Sequence, residues 1–141
     1  MKVIYNSIIP FKGYAYMNIF GVLFARNDLK YPMTQCDINH ESIHSEQYKD
    51  LGYIMFLPLY LLEWIIKLPF GLFYNKKQKN GRAVTKVAYR SISLEQEAFY
   101  HQYDYDYLNN RKRYNWVKYI FTMYDPEKVF ENQGPEIYIN N

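Results

Sequence analysis

Cysteine is nearly absent from this 141-residue chain, and an excess of charge of either sign is absent as well. The single residue Cys36 excludes an internal disulfide framework and favours a reducing compartment, where we expect it to be inert packing. The formal net charge is only +3, from 17 basic and 14 acidic residues. No stripe of lysines interleaved with aromatics lies on a predicted helix, so nucleic acid is not expected as a partner.

The N-terminus also lacks the continuous apolar run of a secretory signal, because Asn6, Ser7 and Pro10 interrupt it. We therefore expect the protein to be cytoplasmic or peripheral to the cytoplasmic membrane. What the chain has in abundance is tyrosine, 17 residues in all, whose rings suit a wet cleft, a protein partner or a membrane surface. The length predicts one domain over residues 1–141.

The apolar pattern predicts an α+β fold that is mainly α. The β-branched and aromatic residues before position 25 predict a small sheet of two strands around a turn at Phe11-Lys12-Gly13. Asp37 is placed to cap the first helix, which we expect to continue through residues 51–73 with a kink or break at Pro58.

The second half is expected to be helical after a basic connector over residues 74–86. Ser93 and Gln96 have the spacing of a capping box at the start of the next helix. A further helix is predicted over residues 109–124, and the tail 125–141 is expected to be irregular.

The sequence His40-Glu41-Ser42-Ile43-His44 has the H-E-x-x-H pattern. Two histidines four residues apart project from one face of a helix, so both can bind one tetrahedral metal ion such as Zn²⁺. Glu41 then lies beside the coordination position of the metal that the protein leaves open, where a general base takes the proton of an attacking water. Random placement would give this pattern in roughly a few chains per thousand of this composition, so chance explains it poorly.

A third protein ligand must come from elsewhere, and Glu95 and Glu97 in "SLEQEAF" are the best source. They lie about 200° apart around a helix, so only one can face the metal. Either could instead be an ordinary surface residue, as in an i,i+4 pair of Glu97 with His101.

The two motifs together resemble the gluzincins, zinc peptidases that combine H-E-x-x-H with a glutamate on a downstream helix. Glu95-Gln96-Glu97-Ala98 is similar to the E-x-x-A-D signature of integral-membrane zinc proteases, and "NHESIHSEQ" with "SLEQEAF" also resembles small uncharacterised bacterial proteins. The resemblance implies a minimal zincin-like domain, with Glu95 as the third zinc ligand. Glu97 would then support the ligands without touching the metal, or would be the ligand in place of Glu95.

The chain departs from that pattern at two positions. Glu46 stands where the zincin pattern has an apolar residue, and Phe99 stands where E-x-x-A-D has an aspartate that orients a metal-bound histidine. The partners of the imidazoles are thus left open. His101 or Tyr100 is a candidate proton shuttle or transition-state donor.

The apolar segment 51–66 has two interpretations. It is shorter than the roughly 20 residues that span a bilayer core, and a Glu63–Lys67 pair would give a buried core helix one solvated edge. Alternatively, Trp64 and the following lysines would place the segment at an anionic membrane surface.

Two function classes therefore remain. The first is a zinc-dependent metallopeptidase acting on a peptide or protein substrate, which would lie along a strand edge within residues 14–24. The second is a non-catalytic, zinc-stabilised or membrane-associated interaction module. The oligomeric state does not follow from the sequence.

Overall fold

The computed structural model describes residues 1–29, 32–78, 83–135, 137 and 139, without the side chains of 75–78. The predicted α+β, mainly α fold with a small N-terminal sheet is confirmed. In chain order the described elements are β1 Lys2–Asn6, β2 Tyr16–Ile19, β3 Val22–Arg26, α1 Gln35–Asp50, α2 Phe56–Gln78, α3 Val84–Arg90, α4 Ser93–His101, α5 Tyr107–Asn110, a 3₁₀ helix Asn115–Tyr119 and α6 Pro126–Phe130.

The sheet has three strands in the order β1-β3-β2, rather than the two predicted. β1 runs parallel to β3, and β2 pairs antiparallel with β3. The tight turn joins β2 to β3 at Phe20-Gly21, where both residues have positive φ (51° and 81°), as a two-residue hairpin turn requires. The predicted turn near Phe11 exists, but it lies in the connection between β1 and β2.

The N-cap of helix α1 lies three residues before Asp37, the predicted cap. Thr34 is the N-cap, and its hydroxyl accepts a hydrogen bond from the Asp37 backbone N–H at 3.1 Å. The Asp37 carboxylate in turn accepts from the Thr34 backbone N–H at 2.8 Å. The reciprocal bonds form a capping box, so Asp37 stabilises the helix start from within the first turn.

Helix α2 is separate from α1, because the chain leaves helical geometry between Asp50 and Phe56. Pro58 therefore lies in the first turn, where its missing N–H costs nothing, and it does not kink a continuous helix. The helix then passes through Pro69 to Gln78, five residues beyond the predicted end at Phe73. By length and composition residues 56–74 could cross a membrane, although only 22% of that window is buried inside the fold.

The polarity of α2 is reversed relative to an ordinary surface helix. Between Leu57 and Phe73 every exposed residue is apolar. We call this set the outer face of α2: Leu57, Pro58, Leu61, Leu62, Ile65, Ile66, Pro69, Phe70, Leu72 and Phe73. The interpretation of this segment as a buried core helix is therefore wrong for half of its circumference.

The inner face of α2 carries the helix's buried charges. Glu63 and Lys67 pair at 2.9 Å and are both buried, so the expected solvated edge is wrong. Glu63 also accepts hydrogen bonds from the backbone N–H and the hydroxyl of Ser93, each at 2.7 Å. Ser93 is the first residue of α4, and the Glu63 carboxylate of α2 accepts the hydrogen bonds at this helix start. The predicted Ser93–Gln96 capping box does not form.

Helix α3 was not predicted and packs closely on α2. A Cβ on Gly71 would lie 3.2 Å from the Val84 carbonyl oxygen, so a larger residue would push the two helices apart by a few tenths of an ångström. The predicted connector thus becomes helical by Val84, whereas residues 79–82 lie outside the described residues.

The C-terminal third also differs from the prediction. The single helix expected over residues 109–124 is replaced by α5 and the 3₁₀ helix, and the tail contains α6. Two residues of the tail also form backbone hydrogen bonds with the start of α1 and the residues before it. The Ile137 carbonyl accepts from the Gln35 N–H, and the Ile139 N–H donates to the Met33 carbonyl. The main core lies between α1, α2, α4 and the 3₁₀ helix, and it contains Tyr48, Phe56, Ile92, Leu94 and Trp116.

Candidate metal centre

Two helices bring three potential metal ligands together. His40 and His44 come from consecutive turns of α1, and Glu95 comes from the first turn of α4. Their ligand atoms all lie within 4.8 Å of one another, and all three residues are buried. His40 Nε2 is 3.4 Å from Oε2 of the Glu95 carboxylate, and His44 Nε2 is 3.4 Å from its Oε1. This group could hold a metal ion.

The bonding of the Glu95 carboxylate fits a metal ion. Its Oε1 accepts a hydrogen bond from the Tyr60 hydroxyl at 2.6 Å. Its Oε2 is buried and has no hydrogen-bond partner. A buried carboxylate oxygen without a partner is costly, and a cation bound between this oxygen and the two imidazoles would remove that cost.

Both imidazoles are oriented by glutamine amides. The Nδ1 atom of His44 is 2.7 Å from Gln47 Oε1, and that of His40 is 3.2 Å from Gln102 Oε1. The Gln47 amide is itself fixed, because its Nε2 donates to the Leu94 carbonyl at 2.9 Å. Since an amide oxygen can only accept, Nδ1 of His44 donates, so Nε2 is the nitrogen that offers its lone pair to a metal once its proton has left.

Phe99 stands where the E-x-x-A-D pattern has an aspartate that orients a histidine, and in this chain Gln47 and Gln102 hold the imidazoles instead. The Phe99 ring packs edge-on against the His40 ring, at 4.7 Å between centroids, and takes no polar role. Gln47 lies three residues after His44 on α1, and Gln102 follows the end of α4. Gln47 ends the stretch "NHESIHSEQ" but lies outside the H-E-x-x-H pattern, and Gln102 lies outside both motifs, so sequence spacing did not reveal the role of either.

Glu97 lies outside the ligand group and is fully buried. Its carboxylate accepts hydrogen bonds from Arg111 Nε at 2.8 Å, from the Tyr107 hydroxyl at 2.7 Å and from Gln47 Nε2 at 2.8 Å. Through Gln47 it fixes the amide that orients His44. The alternative pairing of Glu97 with His101 does not form, because the His101 ring stacks on Tyr107.

Glu41 and His44 both face a cavity of about 350 Å³. One wall is β2 and the other is the start of α2, and the remaining lining includes Tyr60, Tyr89 and Glu95. His101 and Tyr100, the candidate hydroxyl or imidazole donors, do not line this cavity. Tyr60 and Tyr89 do, and no sequence signal distinguished them among 17 tyrosines.

The electrostatics of the metal-free cluster follow from its burial. Burial raises the pKa of Glu41, and the positive charges of His44 and His40 offset only part of the increase. Burial acts to lower the pKa of His44, but the charge and hydrogen bond of Glu95 outweigh it and raise the pKa to about 9. The same contacts, acting against burial, hold the pKa of Glu95 well below its usual range. At neutral pH a metal must therefore displace a proton from His44.

Two asparagines hold α1 in place around the site. The Asn39 amide donates to the carbonyls of His101, Gln102 and Asp104 at 2.9–3.1 Å, which ties α1 to the end of α4. The Asn18 amide on β2 donates to the Glu41 carbonyl at 2.8 Å, which ties α1 to the sheet. The orientation of the motif helix is thus set from both sides.

Comparisons of the chain with protein-family models, with curated proteins and with solved structures found no match. What the site can do is therefore argued from its own side chains.

Proposed function

We propose that the protein is a zinc-dependent hydrolase of peptide or amide bonds. The observation that carries the proposal is the buried Glu95 carboxylate between the two imidazoles: its partnerless Oε2 lies 3.4 Å from His40 Nε2, and its Oε1 lies 3.4 Å from His44 Nε2. Two imidazoles and one carboxylate are a ligand set typical of catalytic zinc, and they agree with the gluzincin resemblance. In this proposal Glu95 is the third ligand, and Glu97 acts through Gln47.

The number of ligands favours catalysis over a purely structural role. Structural zinc sites in proteins usually have four protein ligands, whereas catalytic sites have three and leave one position open. Among the described residues the group contains three ligands, and the cavity that reaches His44 and Glu95 also reaches Glu41. This supports an enzyme rather than a zinc-stabilised interaction module.

The chain's own residues supply the acid–base chemistry. A zinc ion, when bound, lowers the pKa of a water towards 7 and polarises the carbonyl of the scissile bond. Glu41 takes a proton from the attacking water and then delivers it to the leaving nitrogen. Glu41 is buried and lines the cavity together with His44 and Glu95, which places its carboxylate where both proton transfers are needed. The Tyr60 hydroxyl holds Glu95 in place by donating to Oε1.

The edge strand β2 supports an extended peptide as substrate. β2 lies at one end of the strand order and lines the cavity beside Glu41. A peptide can add to such an edge through backbone hydrogen bonds, which would place one of its carbonyls beside the zinc ligands.

The test compares wild type with Glu41→Gln at equal zinc occupancy, using an unbiased peptide library. We expect Glu41→Gln to keep its zinc and to lose about 10²–10⁴-fold in cleavage rate, since the amide cannot act as a base. Glu46→Gln is the matched control, because Glu46 lies on the same helix in an exposed pair with Lys49. Equal cleavage by wild type and Glu41→Gln, or none by the zinc-loaded wild type with vesicles present, would favour an interaction module.

A further inference from the structure

The outer face of α2 has no polar group to offer a protein partner. It runs from Leu57 to Phe73, and every exposed residue in that span is apolar. Protein–protein interfaces combine an apolar centre with a polar rim and roughly one hydrogen bond per 100–200 Å². A lipid bilayer needs neither, because its interior accepts apolar side chains and offers no hydrogen-bond partners.

The two charged residues of α2 between Leu57 and Phe73 are arranged as an apolar solvent outside the helix would require. Glu63 and Lys67 point inward and pair with each other. Glu63 also binds the start of α4, and Lys67 donates to the Thr122 carbonyl at 2.9 Å. Both charged groups are therefore satisfied without water, which is the usual condition for ionisable residues beside hydrocarbon.

Cations lie beside the outer face. Lys86 and Arg90 of α3 line a groove together with Leu61 and Trp64. The 3₁₀ helix carries the exposed Lys118, whose Nζ lies 4.9 Å from the centroid of the Tyr119 ring. Neither α3 nor the 3₁₀ helix contains an acidic residue. This charge distribution complements anionic lipid headgroups, to which lysines and arginines near the surface are attracted.

A projecting aromatic ring extends the apolar surface. Phe121 follows the 3₁₀ helix and is 99% exposed, and it lines a groove with Leu62, Ile66 and Phe70. A fully exposed phenylalanine beside an apolar helix face is costly in water and typical of membrane-surface contacts.

We propose that the outer face of α2 and the Phe121 ring bind an anionic lipid bilayer at the boundary between headgroups and acyl chains. The helix lies in the plane of the membrane. It does not span the bilayer, because it packs on α3, its inner face is hydrogen-bonded to α4 through Tyr60 and Glu63, and the exposed Lys86 of α3 must stay hydrated. The inference is independent of the metal chemistry.

The experiment is flotation of the purified full-length protein with vesicles. We expect wild type to float with equal parts phosphatidylcholine and phosphatidylglycerol, and to bind phosphatidylcholine alone more weakly. Salt should weaken binding to the mixed vesicles without abolishing it, because screening acts on the lysines and not on apolar burial. Phe121→Ser should lower the partition coefficient about tenfold or more, from the apolar surface it removes.

The matched control is Phe130→Ser. Phe130 is 66% exposed on α6 and lies outside the outer face, so its loss should leave vesicle binding unchanged. Because both rings are exposed, neither substitution should change the fold, and circular dichroism checks this. Wild type that stays in the aqueous fraction, or equal binding by Phe121→Ser, overturns the proposal. A dimer in gel filtration that Phe121→Ser dissociates, without vesicle binding, would assign the face to a second copy of the chain.

Discussion

Glu97→Gln tests the buried network that supports the metal site. Each oxygen of Glu97 accepts two hydrogen bonds: Oε1 from Tyr107 and Arg111 Nε, and Oε2 from Gln47 and Arg111 Nη2. A glutamine keeps only one oxygen, so two donors would face its NH₂ group. The Arg111 side chain, only 4% exposed, would also lose one of its two buried carboxylate partners.

The expected cost of Glu97→Gln is about 3–5 kcal/mol of unfolding free energy, the usual range for breaking a buried ion pair. With a urea slope of about 2 kcal/mol per M, the unfolding midpoint of the metal-free protein should fall by about 2 M. Zinc affinity should fall about 10–100-fold, because Gln47 no longer holds His44 firmly.

Urea unfolding and zinc competition with a chromophoric chelator measure the two effects. Glu46→Gln again serves as the control, since its surface pair with Lys49 should change stability by less than about 1 kcal/mol. If Glu97→Gln behaves like Glu46→Gln in urea, the network does not stabilise the fold. If it loses zinc as completely as His44→Ala, Glu97 is a ligand and the present assignment is wrong.

Three further changes probe the site and its support. Tyr60→Phe removes the hydrogen bond to Glu95 Oε1 and should weaken zinc binding about 10–100-fold without unfolding the protein; an unchanged affinity in chelator competition would dismiss this role. Asn39→Ala leaves three carbonyls at the end of α4 without their donor and should cost about 1–3 kcal/mol in urea unfolding, whereas a loss below about 0.5 kcal/mol would show that water replaces the amide. Free zinc at about one hundred times its Kd should stabilise wild type by about 2.7 kcal/mol in thermal unfolding, and a similar gain in Glu95→Gln would contradict the ligand assignment.

The convergence of the two histidines in the candidate metal centre was predictable because their geometry is local. His40 and His44 are one turn apart on a single helix, so their convergence needs only helical periodicity. Choosing between Glu95 and Glu97 needed the resemblance, since both lie on one short helix. The structure places Glu95 beside the imidazoles and buries Glu97 against Arg111, a residue fourteen positions later that no local rule connects to it.

The supporting residues could not be predicted, because they come from elements whose packing the sequence does not specify. Tyr60 reaches Glu95 only because α2 packs beside α4, and Gln102 meets His40 only because α4 ends beside α1. Glu63 illustrates the same limit, since its spacing with Lys67 indicated an exposed pair. Tertiary packing instead turned both charges inward and left the apolar residues of α2 outside.

Zinc content per chain tests the metal site most directly. Purified wild type, saturated with zinc and freed of excess, should contain about one zinc per chain by elemental analysis, because two imidazoles and a carboxylate form a complete protein ligand set. His44→Ala should contain far less, since two-ligand remnants bind zinc poorly, and Glu46→Gln should match wild type. Full occupancy in His44→Ala would contradict the site assigned here.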